Sequence, residues 1–242
     1  MEPVLVSLLF LGFSLGIRHA TDADHVVAVT TIVTRQRSIG SAALTGIFWG
    51  IGHTLTLLAV GGAIIFFGIV IPHRVGLGLE FGVALMLILL GTLNLHGTMR
   101  FLRNNTSSET PAHRGAALRS ASEECPSLAG LEQFRPGVNH SGAIGSALVG
   151  GVHGLAGSAT VALLVVPLIQ RPIWGFVYLL AFGLGTIAGM MLITVTIAVP
   201  ITYSGRFTFF PRLFGTAAGV LSVGFGLFLA YQIAFVERLF SY

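Results

Sequence analysis

VLVSLLFLGFSLGIRHATDADHVVAVTTIV, Val4 to Val33, is an apolar stretch interrupted at its centre by one arginine, two aspartates and two histidines. A bilayer core takes roughly 20 apolar residues as a straight helix, so the run is long enough to span it and to bend on the way. A charged side chain inside that core costs about 2.5–3.5 kcal/mol even on insertion scales, which makes R-H-A-T-D-A-D-H, Arg18 to His25, a functional cluster by default. On one straight helix Arg18 and Asp22 stand four apart and are expected to form a mutual ion pair. His19, Asp24 and His25 remain. At about 100° per residue Asp24 and His25 point about 140° and 240° away from His19, so a straight helix cannot bring the three onto one ion. Either the span breaks at the motif, or other spans complete the site.

The rest of the chain has the same character. Of 242 residues 54% are hydrophobic and 9% are charged, with a mean hydropathy of +0.87, against roughly 25% charged in a soluble domain. Apolar runs cover Val4 to Val33, Ala42 to Ile71, Val75 to Leu95, Ala143 to Ile169, Ile173 to Val199 and Leu213 to Val236, six candidate spans. The start, MEPVLVSLLF, lacks the basic segment of a cleavable signal, so the first run is expected to be retained. Between the third and fourth runs lies the long polar stretch Arg100 to His140, with NNTSSETP and SASEECPS, which has the composition of a flexible loop. The expected organisation is a first three-span half, residues 1–99, a loop, 100–140, and a second three-span half, 141–242.

Arginines Arg35, Arg37, Arg100, Arg103, Arg114, Arg119, Arg135, Arg206 and Arg212 flank one side of these spans, against Arg74, Arg171 and Arg238 on the other. The positive-inside rule then puts the 100–140 loop in the cytoplasm and both termini outside a multi-pass inner-membrane protein. The halves repeat. G-I-R-H at Gly16 to His19 matches G-G-V-H at Gly150 to His153, an offset of 134, and G-I-G-H-T at Gly50 to Thr54 matches G-L-G-T at Gly183 to Thr186, an offset of 133. Gly91 and Gly226 add a weaker match at 135. Because each half has an odd number of spans, such a repeat is inverted in the membrane, with a site near the midplane between halves. The expected fold is therefore all-α, six transmembrane helices arranged as two inverted three-helix repeats.

Composition also excludes function classes. The basic residues are 13 arginines and no lysine, which removes a P-loop ATPase and Schiff-base chemistry with retinal or pyridoxal phosphate. No nucleotide motif is present, and the scattered arginines form no nucleic-acid footprint. The single cysteine, Cys125, cannot form an internal disulfide or a two-thiol relay.

Two further histidines lie in charge-free runs, His53 in Ala42 to Ile71 and His153 in Ala143 to Ile169, each among glycines that allow close helix approach and local unwinding. Imidazole with carboxylate suits divalent Ni, Co, Zn or Fe, whereas Cu(I) would want thiol and Mg or Ca an all-oxygen cage. Asn94, His96, Glu80 and Gln232, near span ends, are expected to be interfacial anchors or helix–helix hydrogen bonds, and His73, His113 and His140 to lie solvated in loops.

The segment GIRHATDADHVVAV, with its H-x4-D-H, resembles the signature of the nickel/cobalt transporter (NiCoT, NicO) superfamily, and FWGIGHTLT is similar to its second, glycine–histidine motif. GGVHGLAGSA and the six-span layout resemble the shorter, urease-accessory (UreH-like) branch; eight-span members carry further motifs absent here. The resemblance implies that His19, Asp24 and His25 are needed for metal passage, that His53 is a further ligand, and that Asp22 belongs to the signature. The expectation is a permease, not an enzyme, that moves Ni(II) or Co(II) as cargo through a central site by alternating access. His19, Asp24 and His25 would form the primary site, His53 and His153 would complete or relay it, and Arg18 with Asp22 would orient the first span. No resident cofactor, nucleotide or nucleic-acid partner is expected beyond the divalent ion and the bilayer; an oligomer or a metalloenzyme-maturation partner is left open. Protons compete with metal for such ligands, so binding should weaken below the ordinary histidine pKa of about 6.5. The alternatives are an efflux protein of the same superfamily, a histidine-box metal-dependent membrane enzyme, and an assembly subunit that uses the charges only as glue.

Overall fold

The computed structural model describes residues 2–34, 36, 38–68, 72–106, 140–155, 171–203, 209–237 and 239, and within them the regular structure is entirely helical. Helices α1 (Glu2–Ala20), α2 (Ala23–Val33), α3 (Ile39–Phe67), α4 (His73–Thr106), α5 (His140–Leu155), α6 (Pro172–Tyr203) and α7 (Phe209–Tyr231) follow in order, the last continued by a π-helical turn, Gln232–Val236. Ile39–Phe67, His73–Arg100, Pro172–Tyr203 and Leu213–Val236 are long and apolar enough to cross a membrane, while Leu5–Ala20, Ala23–Val33 and Gly142–Leu155 are shorter apolar helices. At 1.5 Å per residue the 29 residues of α3 rise about 43 Å, more than the ~30 Å hydrocarbon core, so this helix must tilt or project.

The first apolar run is two helices, not one. α1 stops at Ala20, where the Thr21 and Asp22 amides fold back onto the Arg18 and His19 carbonyls at 2.9 and 3.0 Å. Asp22 takes the extended conformation of an N-cap (φ −60°, ψ 146°), and α2 starts as the Val26 amide reaches the Asp22 carbonyl at 3.0 Å. With the helix interrupted, the four-residue spacing no longer stacks Arg18 on Asp22, and the expected pair between them is replaced by one between Asp22 and His19, with Arg18 exposed.

Gln36, buried in the α2–α3 turn, donates to Thr45 Oγ1 at 3.0 Å and accepts from Ser41 Oγ, so the turn is held by a satisfied polar knot. Ser38 caps α3 by accepting from the Ser41 amide at 3.2 Å, and Gly68 ends it in the left-handed conformation (φ 64°), which glycine adopts without a Cβ penalty. α4 runs on to Thr106 and α5 opens at His140, so both ends of the expected 100–140 loop are helical; residues 107–139, with Cys125 and His113, lie outside the described residues. The same holds for residues 156–170, the second part of the fourth expected span.

Helix α1 packs on α6, α5 on α3, α3 on α6, and α4 on α7. The contacts correspond across the two parts of the chain. A Cβ on Gly16 would overlap the Phe182 carbonyl, and one on Gly150 would overlap the Trp49 carbonyl; Gly185 meets Phe13 as Gly52 meets Ala147. Gly50 lies on Ile187 and Gly183 on Thr54; Gly91 lies on Gly219 and Val223, and Gly226 on Ala84 and Ile88. Successive contacts along α1 and α6 run parallel, whereas α3 with α6 and α4 with α7 run antiparallel. Hydrogen bonds add to the α4–α7 seam: Asn94 Nδ2 donates to the Gly215 carbonyl and Ser222 Oγ to that of Leu87, a helix–helix role of the kind expected for Asn94.

Burial places one apolar cluster on the α2 side of the bundle, with Val29, Trp49, Leu87 and Met190, and a second on the α1 side, with Leu57, Tyr178, Leu179 and Phe182. The outer surface is also apolar: Phe10, Leu148, Leu184, Leu221 and Phe228 are exposed. A soluble protein does not show so many large exposed hydrophobics around its helices; lipid is the solvent that accepts them, and the chain is a membrane protein.

Candidate metal centre

Four histidines meet where the two apolar clusters adjoin. His19 sits in the last turn of α1, His25 in the first turn of α2, His53 at the middle of α3 and His153 near the end of α5. His19 is 5% exposed and the other three are fully buried. Ring centroids are 4.6 Å apart for His19 and His25, 5.1 Å for His19 and His53, 5.3 Å for His25 and His53, and 4.1 Å for His25 and His153. The break at Thr21–Asp22 makes this possible: it turns His25 back toward His19, which an unbroken helix would have kept on another face.

Two aspartates stand behind the rings. Asp22 Oδ2 accepts from His19 Nδ1 at 2.8 Å, Asp24 Oδ1 accepts from His25 Nδ1 at 3.1 Å, and Asp24 Oδ2 accepts from His153 Nε2 at 3.0 Å. Ionised carboxylates only accept, so each of these ring nitrogens carries its proton, and in a neutral ring the opposite nitrogen holds the lone pair. Those opposite atoms, His19 Nε2, His25 Nε2 and His153 Nδ1, together with both nitrogens of His53, are buried and have no hydrogen-bond partner among the described residues. Each such atom costs about 1–3 kcal/mol if nothing binds it, and a divalent ion is the partner that accepts several lone pairs at once.

Side-chain atoms that could hold a metal ion fall into two groups, each gathered within 4.8 Å: His19, His25 and His53, and Asp24, His25 and His153. Asp24 is thus joined to His25 and His153, while His19 is joined to His25 and His53. Asp22 faces His19 and is about half exposed, and Asp24 is partly exposed, so the cluster opens at the helix break.

Two aromatic rings at the site carry no signal in the histidine motifs themselves. Phe182 packs against His19 (centroids 5.4 Å) and Trp49 against His153 (5.9 Å). Their trace in the sequence is the repeat: Trp49-Gly50-Ile51-Gly52 and Phe182-Gly183-Leu184-Gly185 share an aromatic–Gly–aliphatic–Gly pattern at the same offset as the glycines. His96 and His73 are exposed and away from the cluster.

A broken apolar helix that gathers imidazoles and carboxylates inside a bundle of apolar helices defines a membrane protein with buried groups of side chains that could hold a metal ion. Over 239 residues the chain is 34% identical to the urease accessory protein UreH of Bacillus sp. (strain TB-90), covering 98% of this chain and 96% of that one. Shorter matches are to the high-affinity nickel transport protein of Cupriavidus necator, 35% identical over 54 residues, 22% of this chain and 15% of that one, and to the nickel transporter NixA of Staphylococcus aureus, 30% identical over 105 residues, 38% and 30%. No family model and no solved structure matches the chain. The chain belongs to the UreH-like branch of the nickel/cobalt transporter superfamily.

Proposed function

We propose that the chain is a permease of the inner membrane that carries Ni(II), with Co(II) as a second cargo, through the histidine–aspartate centre by alternating access of two inverted halves. The observation that carries this is the convergence of His19, His25 and His53 from three helices on one buried point, with His153 and Asp24 beside it. Neutral imidazoles backed by carboxylates suit a divalent ion of the nickel–cobalt–zinc type, and the relatives named for nickel narrow the choice. His19, His25 and His53 are ligands, Asp24 and His153 complete the path, and Asp22 orients His19.

The six-span arrangement is supported by the corresponding contacts of Gly16 with Gly150 and of Gly52 with Gly185, which relate residues 1–99 to residues 141–242. A parallel α1–α6 pair and antiparallel α3–α6 and α4–α7 pairs are the directions that six alternating spans require. With the 100–140 loop in the cytoplasm, both termini are outside. Transport needs no ATP from this chain and no chemical step. The metal exchanges ligands as one half rocks against the other.

The test is radioactive nickel accumulation in cells expressing the wild type or His19→Ala at equal membrane levels, with cobalt and zinc as competitors. Accumulation in wild-type cells alone, displaced by cobalt before zinc, is the expected result. Less nickel in wild-type cells than in the variant would reverse the direction of transport, and equal accumulation would end the site assignment.

A further inference from the structure

The two groups of ligands share a single residue, His25. Its Nδ1 lies on the Asp24 side, 3.1 Å from Oδ1, while its Nε2, on the opposite edge of the ring, is buried with no partner among the described residues. We propose that the ion crosses the centre through two overlapping stations, an all-imidazole one of His19, His25 and His53 and a carboxylate-bearing one of Asp24, His25 and His153, occupied one at a time because His25 serves both. This rests on the permease function proposed above and describes its internal path.

A neutral imidazole has one lone-pair nitrogen. As folded, the proton of His25 is on Nδ1, given to Asp24, and the lone pair is on Nε2, which sets the ring for the first station. His19 is set the same way by Asp22, with its lone pair on Nε2. The second station lies on the other edge of the ring, where Asp24 Oδ1 is 3.1 Å from His25 Nδ1 and Asp24 Oδ2 is 3.0 Å from His153 Nε2, beside the partly exposed edge of Asp24. Asp24 loses the hydrogen bonds it accepts from the two rings and takes the ion instead.

Filling both stations together would put two dications on either side of one ring, in surroundings where their repulsion is weakly screened. His25, common to both groups, is therefore the residue that limits the centre to one ion. The ion passes from one edge of the His25 ring to the other, so the donors it leaves stand directly beside the donors it meets.

The experiment is equilibrium binding of Ni(II) to the purified full-length protein in detergent, paired with radioactive nickel uptake by cells carrying the same variants. Wild type should bind one ion per chain. His53→Ala dismantles the first station and His153→Ala the second; each should still bind one ion, yet each should lose uptake at least about tenfold. With Co(II) as an optical probe, His153→Ala should keep the wild-type d–d bands, and His53→Ala should shift them toward an oxygen-bearing donor set. His53→Gln and His153→Gln serve where an alanine variant fails to fold, judged by its melting in detergent.

Two ions per wild-type chain would overturn the proposal, as would wild-type uptake in either variant. Complete loss of binding in both folded variants would mean one composite site, leaving nickel transport standing and the two stations refuted. A wild-type protein that neither binds nor imports nickel would remove the permease function and the stations with it.

Discussion

His19 has one nitrogen held by Asp22 at 2.8 Å and the other turned into the cluster, so the carboxylate decides which nitrogen is free and where it points. Carboxylates behind a ligating histidine are worth about 10- to 100-fold in metal affinity. Asp22→Ala should therefore raise the nickel KM of uptake by about that factor with little change in maximal rate, while Asp22→Asn, which keeps an acceptor oxygen, should be affected less. A saturation curve of uptake against nickel concentration checks it; equal loss of maximal rate in both variants would make Asp22 something other than a support for His19. The cost of charge in a membrane made the whole Arg18–His25 cluster legible in the sequence, as did the lone histidines at His53 and His153. What was not legible is who pairs with whom. Spacing on an ideal helix joins Arg18 to Asp22, whereas the interruption at Thr21 frees Asp22 to reach back to His19.

Helices in this bundle approach closely at glycines, and close contact is what holds helices together where lipid removes the hydrophobic drive between them. A Cβ at Gly16 or Gly150 would meet a backbone carbonyl, which cannot swing aside as a side chain tip can. Overpacking of this kind costs about 1–3 kcal/mol, and Gly16→Ala and Gly150→Ala should lower the melting temperature in detergent by similar amounts. Gly76→Ala and Gly78→Ala, where a Cβ meets nothing within 4 Å, should not destabilise. Unequal effects at Gly16 and Gly150 would argue against their equivalence. The apolar character and approximate positions of α3, α4, α6 and α7 were readable from the sequence, because a span is a one-dimensional property of about 20 residues, but α4 runs on to Thr106, well past the expected end at Leu95. The end of α1 was not, since one straight helix and two shorter ones share the same hydropathy; the polar T-D pair and the geometry of three ligands only left a break as one of two solutions.

For the molecule as a whole, the proposed topology of six alternating spans with the 100–140 loop inside predicts which thiols an impermeant maleimide reaches in intact cells. Cys125 should be protected until the membrane is opened. His73→Cys in a Cys125→Ser background, at the exposed start of α4, should react at once. The reverse pattern would invert the topology. By itself the sequence determined that the protein lives in lipid, that glycine motifs recur at offsets near 134, and that histidine and aspartate are its candidate metal-binding side chains, because hydropathy, periodicity and the cost of buried charge are all carried by the order of residues. Only the tertiary structure decided that His25 is shared, that Asp24 bridges two rings and that Phe182 and Trp49 back His19 and His153. Those are distances between residues up to 163 positions apart, set by how the helices cross, and no local pattern along the chain encodes them.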